Sequence, residues 1–594
     1  MNRDELRLLR LRRFDNVDNN NDSNNSTSTS NNNDPNSSTN FTPEIITLNS
    51  RQYADIQNIL WISGGATIED MERWYQQGFE FYDHPSFGLK QSKGGPCGIL
   101  AAVQAEMIYE IQKRHHDSND IPLISKDNVN DYLITALLTI LLRASTNNII
   151  YLVSLSSSSS LLTMSTNEND MIVYKCKADN IDNIKEFVLK SLLPLLSSKS
   201  GSMLFLLALV LTRGIENIRN VDMDDINTLI QQFGHCSQDL INLLLTGRAT
   251  SNVIDGDVSY GDSGLVIKGV AERSTVGYLT HLESLRLCTV GHNYKVPLSS
   301  VWVVGSSSHF SVLFCIDNNI NILSESESLL IKIQKAFKTA DKDDCGFITS
   351  TDISIVLGDL NINMNDYDIS RLRQFLSDGD IILFSTFWQH VSKLMTGTSL
   401  AAVLPSSSSS WNNSNNNLTD LWTDSNIVSG AGGRQRSDSE IARQLQAEFD
   451  GVEYIDTSRN SNKRERSSSD LAREWSNNAY AVNSPPTTSA ITNNNYSSSS
   501  SNSNSNNDKS NAQVTEEKSY ILYHYNGLEK KERLSPLSKC TIVITRDDNT
   551  IGQPITNTNT NTSAGNHVCP IDEVIKTRFP SSKIQWEQTP PSID

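Results

Sequence analysis

Apolar residues recur at three- and four-residue steps over Ile99 to Lys113, Val129 to Arg143, Ile184 to Leu193 and Ile226 to Leu245. That period predicts four amphipathic helices. Pro194 should end the third, because a proline inside a helix removes a hydrogen bond and crowds the preceding turn. Ser300 to Val304 and Phe310 to Ile316 are rich in β-branched and aromatic residues and flank a short small-residue loop. They read as two strands or a hairpin. From Pro43 to about Asp317 the pattern is therefore that of one mixed α and β core, interrupted by the polar run Ser156 to Ser160. A helical segment follows, from about Glu325 to Leu394, and an isolated helix is predicted at Asp438 to Phe449. A short β-rich piece, Tyr520 to Trp586, closes the chain, with strands at Tyr520 to Tyr525 and Thr541 to Thr545.

Between these segments lie tracts of almost pure Asn, Ser and Thr. Such tracts cannot bury enough apolar area to offset the entropy of ordering them. The expected organisation is a disordered tract at 1–42 and a core domain built from 43–324 and 512–594. A helical module spans 325–400, and a disordered linker at 401–511 carries a helix at 438–450.

Composition narrows the function classes. The formal net charge of -18 across 594 residues speaks against phosphate recognition, which needs clustered Lys and Arg. The eight cysteines are scattered without a CxxC pair, so neither a disulfide framework nor a zinc site is indicated, and a reducing compartment fits. The N-terminus lacks an apolar signal core, and the longest apolar runs, Leu192 to Leu196 and Met203 to Leu211, are too short to span a bilayer. An intracellular protein, cytoplasmic or nuclear, without nucleic-acid or membrane partners is expected.

Candidate chemistry concentrates at Gln91-Ser92-Lys93-Gly94-Gly95-Pro96-Cys97-Gly98. Two glycines and a proline form a turn, and the helix-compatible run begins directly after it. Cys97 thus stands at a helix N-terminus, where free amides and the positive dipole end favour a thiolate. Gln91 could offer its side-chain amide to an oxyanion. A cysteine nucleophile needs a base. Of the ten histidines, His309 follows Gly305-Ser306-Ser307-Ser308 and opens a predicted buried strand, so its ring can face a cleft from a rigid backbone. A helix-borne cysteine with a strand-borne histidine is how papain-like sites are assembled. Asp317 is a candidate third group by its place in sequence; His524 and His567 lie far along the chain.

These residues resemble a known family. Gly94-Gly95-Pro96-Cys97-Gly98-Ile99-Leu100-Ala101-Ala102-Val103-Gln104 is similar to the active-site signature of the MINDY deubiquitinating enzymes. Trp74-Tyr75-Gln76-Gln77-Gly78-Phe79 and Phe87-Gly88-Leu89 fit upstream, and Thr275 to Thr280, Val301 to Val304 and Ser308 to Phe314 fit downstream. Leu522 to Leu528 and Lys583 to Trp586 resemble the tail of the branch that contains an EF-hand segment. The resemblance implies an α+β, papain-like cysteine protease that trims polyubiquitin with preference for lysine-48 linkages. It implies Cys97 as nucleophile, His309 as general base and Gln91 in the oxyanion hole, with no cofactor required.

Two further motifs bear on partners. Asp341 to Asp352 has the layout of a twelve-residue EF-hand loop, with Asp341, Asp343 and Asp352 as ligands and Gly346 at the sharp turn. Cys345 stands where an oxygen ligand is usual, and a soft thiol suits calcium poorly, so an EF-hand-like module without tight calcium binding is expected. In the isolated helix Ile441, Ala442 and Leu445 fall on one face and resemble single-helix ubiquitin-binding motifs. Two other readings stand beside the hydrolase: an inactive or autoinhibited ubiquitin-binding scaffold, and a calcium-responsive adaptor.

Overall fold

The structure is a computed structural model that describes residues 41–61, 66–92, 94–115, 120–122, 124–156, 167–260, 265–341, 345–404, 516–528, 536–546 and 569–593. The chain divides into two units, Met1–Thr42 and Pro43–Asp594; of the first, only Phe41 and Thr42 are described. In the second, strand β1 (Glu44–Ile46) precedes helices α1 (Ser50–Leu60), α2 (Ile68–Tyr75), α3 (Cys97–Arg114) and α4 (Lys126–Ala144). Strands β2 (Ile149–Leu155) and β3 (Met171–Lys177) pair with β1 in a three-stranded sheet of order β1-β3-β2. Helices α5 (Gly201–Arg213) and α6 (Gln238–Thr246) lead to strands β4 (Gly277–Thr280), β5 (Val301–Gly305) and β6 (Phe310–Cys315).

Helix α3 is the centre of the core. Nearly every residue from Cys97 to Gln112 is buried, as expected of a helix packed on all sides rather than on one stripe. It lies against β5 and β6 on one side and against α4 and α6 on another. The more deeply buried of its two buried acids, Glu106, is paired with Arg143 of α4 at 2.7 Å, so that neither charge is left alone in a low-dielectric interior.

After β6 the chain enters two helix–loop–helix units. The first is α7 (Glu325–Ala340), strand β7 (Phe347–Thr349) and α8 (Ile353–Asp359). The second is α9 (Asp366–Leu376), strand β8 (Ile381–Leu383) and α10 (Phe384–Met395). The two loops pair through antiparallel β7 and β8, with Ile348 opposite Ile382. Both isoleucines are buried in a core of their own with Phe337, Leu357, Leu372 and Phe387. Ser324 and Glu327 form the capping box that starts α7.

The chain then returns as β9 (Glu516–Tyr525), β10 (Leu537–Arg546), α11 (Pro570–Arg578) and β11 (Ser582–Trp586). These strands complete a six-stranded sheet of order β11-β10-β9-β6-β5-β4. All its neighbours are antiparallel except β4 and β5. The helical units thus lie in sequence between two adjacent strands, β6 and β9. Among the described residues no helix is long and apolar enough to cross a membrane.

Several expectations are corrected. Ile226 to Leu245 is not one helix: only Gln238–Thr246 is α-helical, started by the Ser237 side chain accepting the Leu240 N–H. Upstream, Phe233 and Gly234 have positive φ, which breaks the helical path. The helix at Ile184 stops at Phe187, loosens into a wider turn over Val188–Leu192 and restarts at Leu193–Ser197 with Pro194 in its first turn. There the missing N–H costs nothing. The closing piece, expected to be β-rich, also contains α11.

Leu522 of β9 is wholly buried between the sheet and α11, whereas its neighbour Ile521 is 39% exposed on the other face. Leu522→Ala should therefore lower stability by about 2–5 kcal/mol in a urea titration followed by tryptophan fluorescence. Ile521→Ala should cost a small fraction of that; equal losses would overturn this face assignment.

Candidate active site

The Gly-Gly-Pro turn ends at Pro96, which offers no side-chain cap to α3. Gly94 has φ +77, and its carbonyl accepts a 2.7 Å hydrogen bond from Arg73 Nε. Arg73 also bonds the Asp70 carboxylate, so α2 fixes the turn that leads into Cys97. The amides of Gly98 and Ile99 do not bond the Cys97 sulfur; they meet the sulfur of Cys236. Cys236 lies in the broken segment misread as helix.

Cys97 is 6% exposed and His309 5%. His309 is held at the entry to β6 by its own backbone: its N–H donates to Ser306 Oγ at 3.0 Å and its carbonyl accepts from Ser306 N at 2.9 Å. Its Nε2 lies 2.9 Å from the Asn526 carbonyl. A carbonyl can only accept, so Nε2 carries the proton and Nδ1 is the basic nitrogen. The Gln91 side-chain amide lies 3.2 Å from that Nδ1 and donates to it while the ring is neutral; once Nδ1 has taken the Cys97 proton, the ring is a cation beside the thiolate and Nδ1 is a donor.

Three partners stand on the Cys97 sulfur: the Cys236 S–H, the His309 ring and the Phe310 backbone N–H. The Cys236 hydrogen bond, opposed by burial and assisted by the His309 hydrogen bond and charge and then by Phe310, holds the Cys97 thiol well below the ordinary thiol range. The Cys97 thiolate beside it and burial hold Cys236 well above that range. Burial pushes Cys176, Cys288, Cys315 and Cys540 up to about 12. Those four are structural thiols, whereas Cys97 is prepared to ionise.

Gln91 is positioned by residues that sequence reasoning did not single out. Its N–H donates to the Gly527 carbonyl at 3.0 Å. The Gln77 side chain accepts from Ser92 N at 3.0 Å and donates to the Lys90 carbonyl at 3.2 Å. Gln104 of α3 accepts from Leu89 N at 2.7 Å and donates to the Phe87 carbonyl at 3.1 Å. Tyr525 Oη donates to the Leu89 carbonyl at 2.7 Å. Gln77 and Gln104 fall inside the motif blocks, and their burial as amides in apolar surroundings was the available signal. Asn526 carried no such signal.

Asp317 does not join the site. His309 precedes β6 and Asp317 follows its far end, roughly 20 Å away at strand rise. Its carboxylate instead accepts the Asn319 N–H at 2.9 Å. The group that orients His309 is the Asn526 carbonyl, supplied by a distant part of the chain. His524, two residues before it, is buried and bonded to Ser311 Oγ at 2.9 Å.

The metal candidates are not brought to this site. Asp341 accepts the N–H groups of Cys345 and Gly346, both at 2.8 Å, and Asp352 accepts from Thr349 Oγ1 at 2.7 Å. Asp343 lies outside the described residues, as do Ile441, Ala442 and Leu445. Among the described residues no three His, Cys, Asp or Glu side chains cluster to hold a metal ion.

A low-pKa thiol, an imidazole with its proton fixed on the far nitrogen and an amide donor, all on an α+β scaffold, are the parts of a thiol hydrolase. The sequence profile described as "Deubiquitinating enzyme MINDY-3/4, conserved domain" matches residues 60–330. The chain is 33% identical over 339 residues to the ubiquitin carboxyl-terminal hydrolase MINDY-3 of Danio rerio, covering 52% of this chain and 74% of that one. It is 31% identical over 346 residues to that of Homo sapiens, covering 53% and 76%. It is also 33% identical over 282 residues to the probable ubiquitin carboxyl-terminal hydrolase MINDY-4 of Bos taurus, covering 44% and 35%. No solved structure matches the chain. The chain belongs to the MINDY-3/4 family of deubiquitinating enzymes.

Because the His309 contact stabilises the Cys97 thiolate, alkylation of Cys97 should persist below the ordinary thiol pKa of about 8.5. It should be lost only as acid protonates the sulfur. His309→Ala should move the midpoint of the iodoacetamide rate–pH profile upward and slow labelling at neutral pH. An unchanged midpoint would remove His309 from the ionisation of Cys97.

Proposed function

We propose that the protein hydrolyses isopeptide bonds in polyubiquitin through Cys97, His309 and Gln91, on a papain-like arrangement of helix-borne thiol and strand-borne imidazole. The observation that carries this reading is the ring of His309, pinned at Nε2 by Asn526, met at Nδ1 by the Gln91 amide and acting on the Cys97 thiol. Cys97 attacks the isopeptide carbonyl, and Gln91 stabilises the oxyanion, while the Cys97 backbone N–H is engaged with the Gly95 carbonyl at 2.7 Å. His309 transfers the proton to the leaving lysine amine, and water then releases the ubiquitin carboxylate by the same route. The preference for lysine-48 linkages rests on the resemblance of the Cys97 and His309 blocks. The Ile441, Ala442 and Leu445 face would recruit a further ubiquitin of the chain.

One observation favours a gated form of the same site. The Gln91 amide occupies the lone pair of Nδ1, so it must leave that nitrogen before His309 can take the Cys97 proton, while the second N–H of the amide suits an oxyanion. A substrate carbonyl entering the site would draw it away.

Cleavage of lysine-48-linked polyubiquitin, read on a gel, tests the assignment. Wild type should release ubiquitin, Cys97→Ala and His309→Ala should be inactive, and Gln91→Ala should lose about 10²–10³ in kcat. Turnover surviving in Cys97→Ala would end the nucleophile assignment. Wild type that binds chains and never cleaves them would favour the scaffold.

The paired helix–loop–helix units act in this reading as an EF-hand-like structural module. Both Asp341 oxygens serve backbone N–H groups, and position five of the loop is the exposed thiol of Cys345. Calorimetric titration with calcium should show no micromolar binding. Heat that appears in wild type and vanishes in Asp341→Ala would restore the calcium-responsive reading.

A further inference from the structure

Cys236 has no part in the hydrolytic steps, yet it is built into the site. Its loop is held on four sides. Gln231 N–H donates to the His235 carbonyl at 2.7 Å, Ser237 N–H to the Leu229 carbonyl at 3.0 Å and Trp74 Nε1 to the Gly234 carbonyl at 2.9 Å. Ser237 caps α6 directly after it. The thiol is therefore presented rather than free to swing. A methyl group built on Gly98, the residue after Cys97, would lie 2.8 Å from Cys236 Sγ and 3.0 Å from its Cβ. Only glycine fits there, and the gap it leaves is filled by the second sulfur. Cys236 Sγ thus lies against the backbone of the residue next to Cys97, and both thiols are buried and free. None of the other cysteines bears on the Cys97 sulfur.

We propose that Cys236 is the resolving cysteine of Cys97, so that peroxide converts the active site into a reducible Cys97–Cys236 disulfide. The inference rests on Cys97 being the nucleophile. The Cys97 thiolate attacks one oxygen of hydrogen peroxide; the O–O bond breaks, hydroxide leaves, and Cys97 becomes a sulfenic acid. Cys236 sulfur then attacks the Cys97 sulfur. The S–O bond breaks, and the hydroxyl departs with the Cys236 proton as water. Two thiols lose two electrons and two protons, and one peroxide becomes two waters. The order of events suits the electrostatics. While Cys97 is a thiolate, Cys236 must keep its proton. Once Cys97 is a neutral sulfenic acid that repulsion is gone, and the amides of Gly98 and Ile99 at the positive end of α3 favour the Cys236 thiolate.

The full chain is treated with a few equivalents of hydrogen peroxide, digested without reduction and analysed by mass spectrometry, with ubiquitin-chain cleavage measured before and after dithiothreitol. Wild type should yield a Cys97–Cys236 peptide pair two hydrogens lighter than the separate thiols and should recover its activity on reduction. In Cys236→Ser the pair is absent, Cys97 advances to the sulfinic acid, two oxygens heavier, and activity is not recovered. Cys236→Ala provides a second variant; because both changes alter the donor on the Cys97 sulfur, labelling of Cys97 by a ubiquitin-derived probe is measured in each, and oxidation products are compared at equal labelled fractions. Oxidised wild type with a persistent sulfenic acid at Cys97 and no linked peptide would overturn the proposal, as would equal recovery in the variants. A linked peptide in a protein that never cleaves chains would sink the nucleophile assignment and leave the disulfide standing. Cleavage without a linked peptide would do the reverse.

Discussion

The site depends on the docking of β9 against β6. Backbone hydrogen bonds pair Leu522 to Tyr525 with Cys315 to Val312 in antiparallel register. That register carries the next residues, Asn526 and Gly527, past the end of β9 to the place where β6 begins. Asn526 then gives its carbonyl to His309, and Gly527 gives its carbonyl to Gln91. His309 and Gln91, the proposed base and oxyanion donor, are both set by one short stretch of chain. Its φ of +76 at Gly527 is a left-handed conformation, and a side chain there would meet Gln91 Oε1 at 2.9 Å. Glycine is required on both counts.

The same docking explains how a catalytic core can tolerate what lies between β6 and β9. Adjacent antiparallel strands need only a tight connection. Anything longer is excluded from the sheet and must be stable by itself. The helix–loop–helix units satisfy that condition with a core of their own around Phe337 and Phe387. They can be carried between the strands without altering the register that positions the histidine.

Much of this was legible in the sequence. Helix α3, the β5–β6 hairpin and the two motif blocks follow from periodicity and turn chemistry, and they hold Cys97, Gln91 and His309. What was not legible divides by cause. The segment from Ile226 to Leu245 satisfies a helical apolar period, yet its first half is a loop. Its apolar residues Leu229 and Ile230 are buried by pairing with Ile59, Leu60 and Trp61 rather than by a helix face. Period alone cannot separate those two ways of burying a side chain. That misreading hid Cys236. Asn526 was hidden differently: its role is performed by a backbone carbonyl, which has no residue signature, and it acts across a large separation in sequence. Asp317 was proposed from proximity along the chain, and strand geometry defeats that, since six extended residues separate neighbours in sequence widely in space.

The arrangement around the Cys97 sulfur also reassigns the work of the helix terminus. A helix-N-terminal cysteine invites the view that the dipole ionises it directly. Here the amides of Gly98 and Ile99 are taken by Cys236, and Cys236 keeps its proton and donates a hydrogen bond to Cys97. The helix end therefore acts through an intermediate sulfur: it polarises Cys236, which in turn stabilises the Cys97 thiolate. His309 and the Phe310 amide reach the same sulfur from the sheet side. Helix, loop and sheet thus converge on a single atom. Moving any one of them leaves a buried thiolate short of a donor, and such a group regains its proton rather than bear the desolvation cost. The reactivity of Cys97 is in this sense a property of the packed core.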